Sequence, residues 1–169
     1  MERNTAAGDE REFLQLVEPV LPLAHRLAVG LLRSPSDADD AVQSALLSAW
    51  RNFGRFRPGS DLKPWLLTIV ANECRRQRRS PWWSVIKGQG ESAERSFESG
   101  MTDPAVADLR RALYRLPHDQ RLVVILRYYL DLTFDEVGQT LGISTKAAKS
   151  RTYRALERLR LSPEVRPDE

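Results

Sequence analysis

Residues 133–158 constrain the fold of this chain more than any other stretch. Thr133 and Glu136 are spaced T-x-x-E. At that spacing a threonine hydroxyl and a glutamate carboxylate can each accept the other's backbone N–H in a helix's first turn. Val137, Gly138 and Leu141 give the helix that follows an inner face, and Gly142 stands where the chain must turn with positive φ. Ile143 plugs the core beneath the turn. Ser144 can cap a second helix that keeps Ala148 inward and basic residues outward. This is helix-turn-helix spacing, whose second helix fits a DNA major groove. Residues 133–142 are net −2, and residues 144–160 hold six basic residues against one acid, so one face is selectively positive. Lys146, Lys149, Ser150, Tyr153 and Arg154 are the candidates to face DNA, as phosphate neutralisers and base-edge donors. An ordinary helical hairpin with a basic second helix is the alternative. The joint presence of cap, turn glycine and small inner residue favours DNA binding.

Helical periodicity governs the rest. Ala38, Ala41, Val42, Ala45, Leu46, Ala49 and Trp50 form one apolar stripe, opened by Ser34 as cap, Pro35 in the first turn and Asp37 at the positive end. Leu62, Trp65, Leu66, Ile69, Val70 and Cys74 repeat the pattern, after a turn-rich loop from Gly54 to Asp61. Leu23, Leu27, Ala28 and Leu31 predict a helix beginning near Pro19 and Pro22, with a shorter one at about 10–17 before it. Residues 80–103 carry three Gly, several Ser and no stripe, and read as a linker. Asp103-Pro104 restarts helix, and Pro117 is expected to do the same in the first turn of a helix holding Val123, Val124, Leu126, Arg127 and Leu130. Strand is the rival reading of the β-branched run 122–126, but the caps on both sides favour helix. The expected architecture is all-α: two helical domains over about 8–80 and 104–161, joined by a flexible linker, 81–103.

Charge is uneven behind the modest net +3. Residues 1–50 are net −4, residues 51–87 net +7, residues 88–104 net −3 and residues 144–160 net +5. Two separate basic blocks suit phosphate backbones. No apolar run approaches the length of a membrane span, and the polar start carries no signal-peptide core. A lone Cys74 with two histidines makes neither an intrachain disulfide nor a structural zinc site. No phosphate-binding glycine loop and no paired His–nucleophile arrangement is present, so no catalytic residue, metal, cofactor or small-molecule substrate is expected. His25 and His118 stand isolated. Cys74, on an apolar stripe, reads as a buried thiol. These features fit a cytoplasmic protein without membrane insertion.

Against that background the chain resembles the sigma factors of bacterial RNA polymerase. Leu116-Pro117, Val124-Ile125-Leu126-Arg127-Tyr128-Tyr129, Thr133-Phe134-Asp135-Glu136-Val137-Gly138, Leu141-Gly142-Ile143-Ser144, Lys149-Ser150-Arg151 and Tyr153-Arg154-Ala155 look like that family's region four. Asp37-Ala38-Asp39-Asp40-Ala41-Val42-Gln43 through Ala49-Trp50-Arg51, then Pro64-Trp65-Leu66 to Ile69-Val70-Ala71-Asn72, resemble region two. With only these two regions, over about residues 10–160, the chain is similar to the extracytoplasmic-function, or group IV, class.

The resemblance implies roles position by position. Asp39, Asp40, Gln43 and Leu46 would meet the polymerase clamp, although Leu46 also fits the core stripe. The loop 55–63, with Arg55, Arg57 and Lys63, would capture a base flipped from the non-template strand. Asn72 would contact the minus-ten strand. Trp65 could stack on a base or lie in the core. Arg75, Arg76, Arg78 and Arg79 would grip spacer phosphates, at least some of them being merely solvated. Ser144, Lys146, Lys149, Ser150, Arg151, Tyr153 and Arg154 would read the minus-thirty-five element. Ala147 and Thr152 depart from the family's recognition helix, and so does the Trp82-Trp83 pair in the linker, which suggests a partner or an intramolecular cover. The implied partners are core RNA polymerase at clamp and flap, promoter DNA both duplex and single-stranded, and an anti-sigma factor. Free, the two domains would pack together or be held by that factor. A helix-turn-helix repressor or activator is the alternative, and it would bind duplex DNA without polymerase.

Overall fold

The computed structural model describes residues 2–79 and 103–163, and all regular structure among them is helical. The Trp82-Trp83 pair and most of the expected linker lie outside the described residues. In chain order the helices are α1 (Glu2–Val17), α2 (Leu21–Leu31), α3 (Pro35–Asn52), α4 (Leu62–Arg79), α5 (Pro104–Arg115), α6 (His118–Val124), α7 (Phe134–Leu141) and α8 (Thr145–Arg160). A tight turn at Glu18–Val20, where Pro19 removes an N–H, separates α1 from α2.

The start signals act where the sequence places them. The Ser34 hydroxyl accepts from Asp37 N at 3.4 Å with Pro35 in the first turn, and the Asp103 carboxylate accepts from Ala105 N at 2.9 Å ahead of Pro104. Two readings differ. Helix α1 starts at Glu2 rather than near residue 10, because residues 2–8 include good helix formers but no apolar stripe to reveal them. Pro117 is the N-cap of α6 (φ −50°, ψ 146°), not a first-turn residue. The run 122–126 is helix and not strand, but the helix loosens after Val124. Leu130 N donates to Ile125 O, five residues back, at 2.9 Å. That wide turn ends the helix before the Thr133 cap.

Helices α2, α3 and α4 pack around Leu27, Leu31, Leu67, Val70 and Cys74, and the alanines of α3 (Ala38, Ala41, Ala45) let their backbones approach. Cys74 is fully buried, and burial pushes its thiol up to about 12, so it stays protonated and inert. A second cluster of Phe13, Val17, Val20, Ala49, Leu62 and Leu66 lies at the other end of α4. The first cluster continues without a break into Leu122, Val123, Leu126, Val137, Ala148 and Leu159 of the second half. Gly30 lies close against this junction: a Cβ there would stand 3.1 Å from two carbons of the Ile125 side chain, which would have to shift. Ile125 itself is 3% exposed, and its burial contributes about 2 kcal/mol.

Arg121 fastens the same junction. Its side chain is 2% exposed. Nε donates to Leu113 O at 3.0 Å, Nη2 to Tyr114 O at 2.6 Å and Leu116 O at 3.1 Å, and Nη1 to Leu31 O at 3.1 Å. These carbonyls end α5 and α2, where helices leave acceptors unsatisfied and carry partial negative charge. Burial and the neighbouring Arg78 lower the Arg121 pKa to about 10, still high enough to keep it charged. The Tyr114 hydroxyl adds a bond to Leu32 O at 2.9 Å.

Candidate nucleic-acid interface

The helix-turn-helix is built as the sequence predicts. Glu136 N donates to Thr133 Oγ1 at 3.2 Å, and Thr133 N donates to Glu136 Oε2 at 2.7 Å, a complete capping box. Gly142 takes φ +64°, and Ile143 N returns to Gly138 O at 3.0 Å. Gly138 has to be small, because a Cβ there would stand 2.8 Å from Ile143 O. Ser144 Oγ accepts from Ala147 N at 3.2 Å and starts α8. Ala148, Thr152, Ala155 and Leu159 face inward. Ser144, Lys146, Lys149, Ser150, Arg151, Tyr153 and Arg154 are all exposed. Tyr153 is fixed edge-on to Phe134 at 6.3 Å with Lys149 over its ring at 5.9 Å. Thr152, one of the two departures from the family's recognition helix, is fully buried and donates to Ala148 O at 2.9 Å. Its small side chain serves packing.

The second basic surface runs along α4 and the loop before it. Arg55 and Arg57 are exposed on that loop, and Asp61 Oδ1 accepts from Lys63 N at 2.9 Å to start the helix. Asn72, Arg76 and Arg79 are exposed, and Arg76 pairs with Glu73 at 2.6 Å. Trp65 is half-buried against Phe56 at 5.1 Å, one end of a row of rings through Phe53 and Trp50 to Phe13.

Helix α4 faces α7 and the start of α6 across a cleft that Arg151 of α8 also lines. Lys63 is ion-paired to Glu136 of α7, and Arg75 to Asp119 of α6. Thr68 Oγ1 donates to Thr140 O at 2.6 Å. A cavity of about 310 Å³ lies between, lined by Asn72, Arg75, His118 and Arg151 among others. The Lys63 ammonium, followed by the Thr133 backbone N–H, holds the Glu136 carboxyl down at about 2. Glu136 thus closes the cap of α7 and bridges to α4 at once. The sequence reading missed this bridge, along with Arg121, Thr68 and Asp119, because residues 44 to 90 positions apart carry no local signal of pairing.

Comparison with known families agrees with this layout. The family description "Sigma-70 region 2" matches residues 16–84, and "Sigma-70, region 4" matches residues 112–161. The chain belongs to the extracytoplasmic-function sigma factors of RNA polymerase. It is 36% identical over 157 residues to the ECF RNA polymerase sigma factor SigM of Mycobacterium tuberculosis, covering 90% of this chain and 78% of that one. It is 32% identical to the RNA polymerase sigma factor CarQ of Myxococcus xanthus, covering 90% of each. Among solved structures it is similar to the sigma factor RpoE in complex with the anti-sigma factor NepR from Bartonella quintana. That match has a TM-score of 0.63 and 29% identity, and it covers 89% of this chain and 96% of that one. It is also similar to CnrH in complex with the cytosolic domain of CnrY, with a TM-score of 0.69, 25% identity, and 94% and 92% covered.

The remaining surface of the sigma factor with sequence-predicted residues is the outer side of α3. Asp40 and Gln43 are exposed, and Asp39 Oδ1 lies 2.9 Å from His25 Nε2. Leu46 is half-buried between the two core clusters. The exposed leucine is the next residue, Leu47, at 57%, a helical step of about 100° away. Leu47, Leu14 and the 39%-exposed Trp50 are the large apolar side chains displayed on α1 and α3. Among the described residues no helix is long and apolar enough to cross a membrane.

Proposed function

We propose that this sigma factor reads promoters with two separate faces. The outer face of α8 (Ser144, Lys146, Lys149, Ser150, Arg151, Tyr153 and Arg154) takes the minus-thirty-five duplex. The loop and α4 (Arg55, Arg57, Lys63, Trp65, Asn72, Arg75, Arg76 and Arg79) take the melted minus-ten strand and the phosphates beside it. The functional units are residues 8–80 and 104–161, with 81–103 spanning the distance between promoter elements. The face of α3 around Asp39, Asp40 and Gln43, with Leu46 behind it, docks on the polymerase clamp, and the second unit docks on the flap. The chain performs no catalysis, needs no metal or cofactor, and works in the cytoplasm. An anti-sigma partner, as in the RpoE–NepR complex, restrains it.

The observation that carries this reading is the pairing of Lys63 with Glu136 and of Arg75 with Asp119. Cations suited to phosphate on the first unit are held by carboxylates of the second. DNA can reach them only when the cleft parts. Free protein is therefore closed and binds DNA weakly, and polymerase supplies the binding energy that separates the units. The test is transcription by purified core polymerase, with and without the protein, on genomic fragments at fixed salt. New specific transcripts with two shared upstream elements are expected. Tight duplex binding by the protein alone, without polymerase-dependent transcripts, would move the assignment to a helix-turn-helix repressor.

A further inference from the structure

Beside the cavity described above, a second of about 320 Å³ opens between α4 and the start of α6. The two share Arg75, His118 and Asp119. Arg78 and Arg79 line the second, and Arg151 lines the first, while Asp119, the carboxylate that both cavities share, is paired to Arg75. Among the described residues, Arg78 and Arg79 have no hydrogen bond or ion pair. Both ring nitrogens of His118 are shielded from water and have no hydrogen-bond partner. The charge around His118 is lopsided. Arg75 and Arg78 of α4 and Arg121 of α6 all oppose its protonation, and Asp119 alone favours it. After burial, these cations account for a pKa pushed down to about 4. Arg78 is itself lowered by burial and by Arg33. Excess positive charge at the mouth of a cavity of ligand size, with an imidazole kept uncharged behind it, describes a site short of an anion.

We propose that this cleft binds a diphosphate group, with Arg78 and Arg79 as its ligands and the His118 ring close behind them. Guanidinium forks match phosphate oxygens in pairs, and two linked phosphates supply enough charge to offset the surplus. The bound group joins α4 of the first unit to α6 of the second, so it holds the cleft shut. It also draws a proton onto His118, because a nearby anion favours the imidazolium. On the promoter reading above, it would compete with DNA for Arg75 and Arg79. The binding itself does not depend on that reading.

The probes are inorganic pyrophosphate and adenosine diphosphate, titrated into the full chain by calorimetry, with the His118 ring followed by NMR and His25 as internal control. The expected result is saturable one-to-one binding and a His118 pKa raised by at least one unit, with the His25 ring signals left in place. Arg78→Met and Arg79→Met should each weaken binding at least tenfold, and Arg51→Met, exposed in the last turn of α3, should not. Tighter binding of the nucleotide than of pyrophosphate identifies a nucleotide as the source, and the reverse identifies the inorganic ion. No saturable binding overturns the proposal, as does binding that leaves the His118 signals of the unaltered protein in place. Equal losses with Arg51→Met overturn it too, as would a short random duplex that moves His118 in the same way, since the pocket would then be one for DNA phosphate.

Discussion

Replacing Glu136 with Gln separates the charge at the bridge between the units from its shape. The amide still accepts the Thr133 N–H, so α7 keeps a cap, but Lys63 loses its counter-ion. A carboxyl held at about 2 in place of its ordinary 4.5 corresponds to about 3 kcal/mol of preference for the charged form, at about 1.4 kcal/mol per tenfold. Lys63 and Glu136 are 25% and 29% exposed, so water and salt screen the pair, and about 1–2 kcal/mol is the realistic contribution. Because the folded pKa lies below the unfolded one, this stability is fully present above pH 4.5 and is lost as pH falls toward 2. The assay is urea unfolding of the full chain and of Glu136→Gln at several pH values. The unaltered protein should be more stable by about 1–2 kcal/mol at pH 6, by less in high salt, and by almost nothing near pH 2–3. A gap that stays constant across this range, or none at pH 6, would refute the electrostatic bridge. Lys63→Met should produce the same loss at pH 6, and combining the two changes should add little.

Further outcomes follow from the same contacts. Gly138→Ala forces a carbon within 2.8 Å of the Ile143 carbonyl and should destabilise the second unit by about 1–3 kcal/mol; an unchanged thermal melt would count against the close approach. Lys149→Ala and Arg154→Ala should each weaken minus-thirty-five binding and lower the salt dependence by about one phosphate contact, with polymerase affinity unaltered. Equal loss on promoters that lack that element would contradict the docking. Cys74, buried and held near 12, should react with a disulfide reagent only at the rate of unfolding; rapid labelling of folded protein would place it elsewhere.

The parts of the fold that were legible in the sequence are those with local causes. Ser34, Asp103, Thr133 with Glu136, and Ser144 each act within three residues, and the structure has all of them as read. The stripes on α3 and α4 likewise report which face is buried, because one helix period sets both. The burial of Thr140 and Thr152 was not legible because a threonine looks like a surface residue, whereas here each satisfies its hydroxyl on the carbonyl four residues back and can be buried. Arg121 escaped notice for a related reason. Its partners are helix-end carbonyls, which no residue type announces. The exposed faces of α8 and α4 were readable as basic, but the docking of α4 on α6 and α7 depends on pairs such as Lys63–Glu136, which only the folded chain brings together.

In the function proposed here, α8 and α4 engage two different promoter elements in a polymerase-bound, opened protein. The direct measurement is site-specific photo-crosslinking from position 149 and position 72 in complexes with core polymerase and promoter DNA. Crosslinks are expected from position 149 to the upstream duplex element and from position 72 to the melted downstream strand, both dependent on polymerase. Crosslinks from both positions to one duplex site, formed equally well without polymerase, would contradict it.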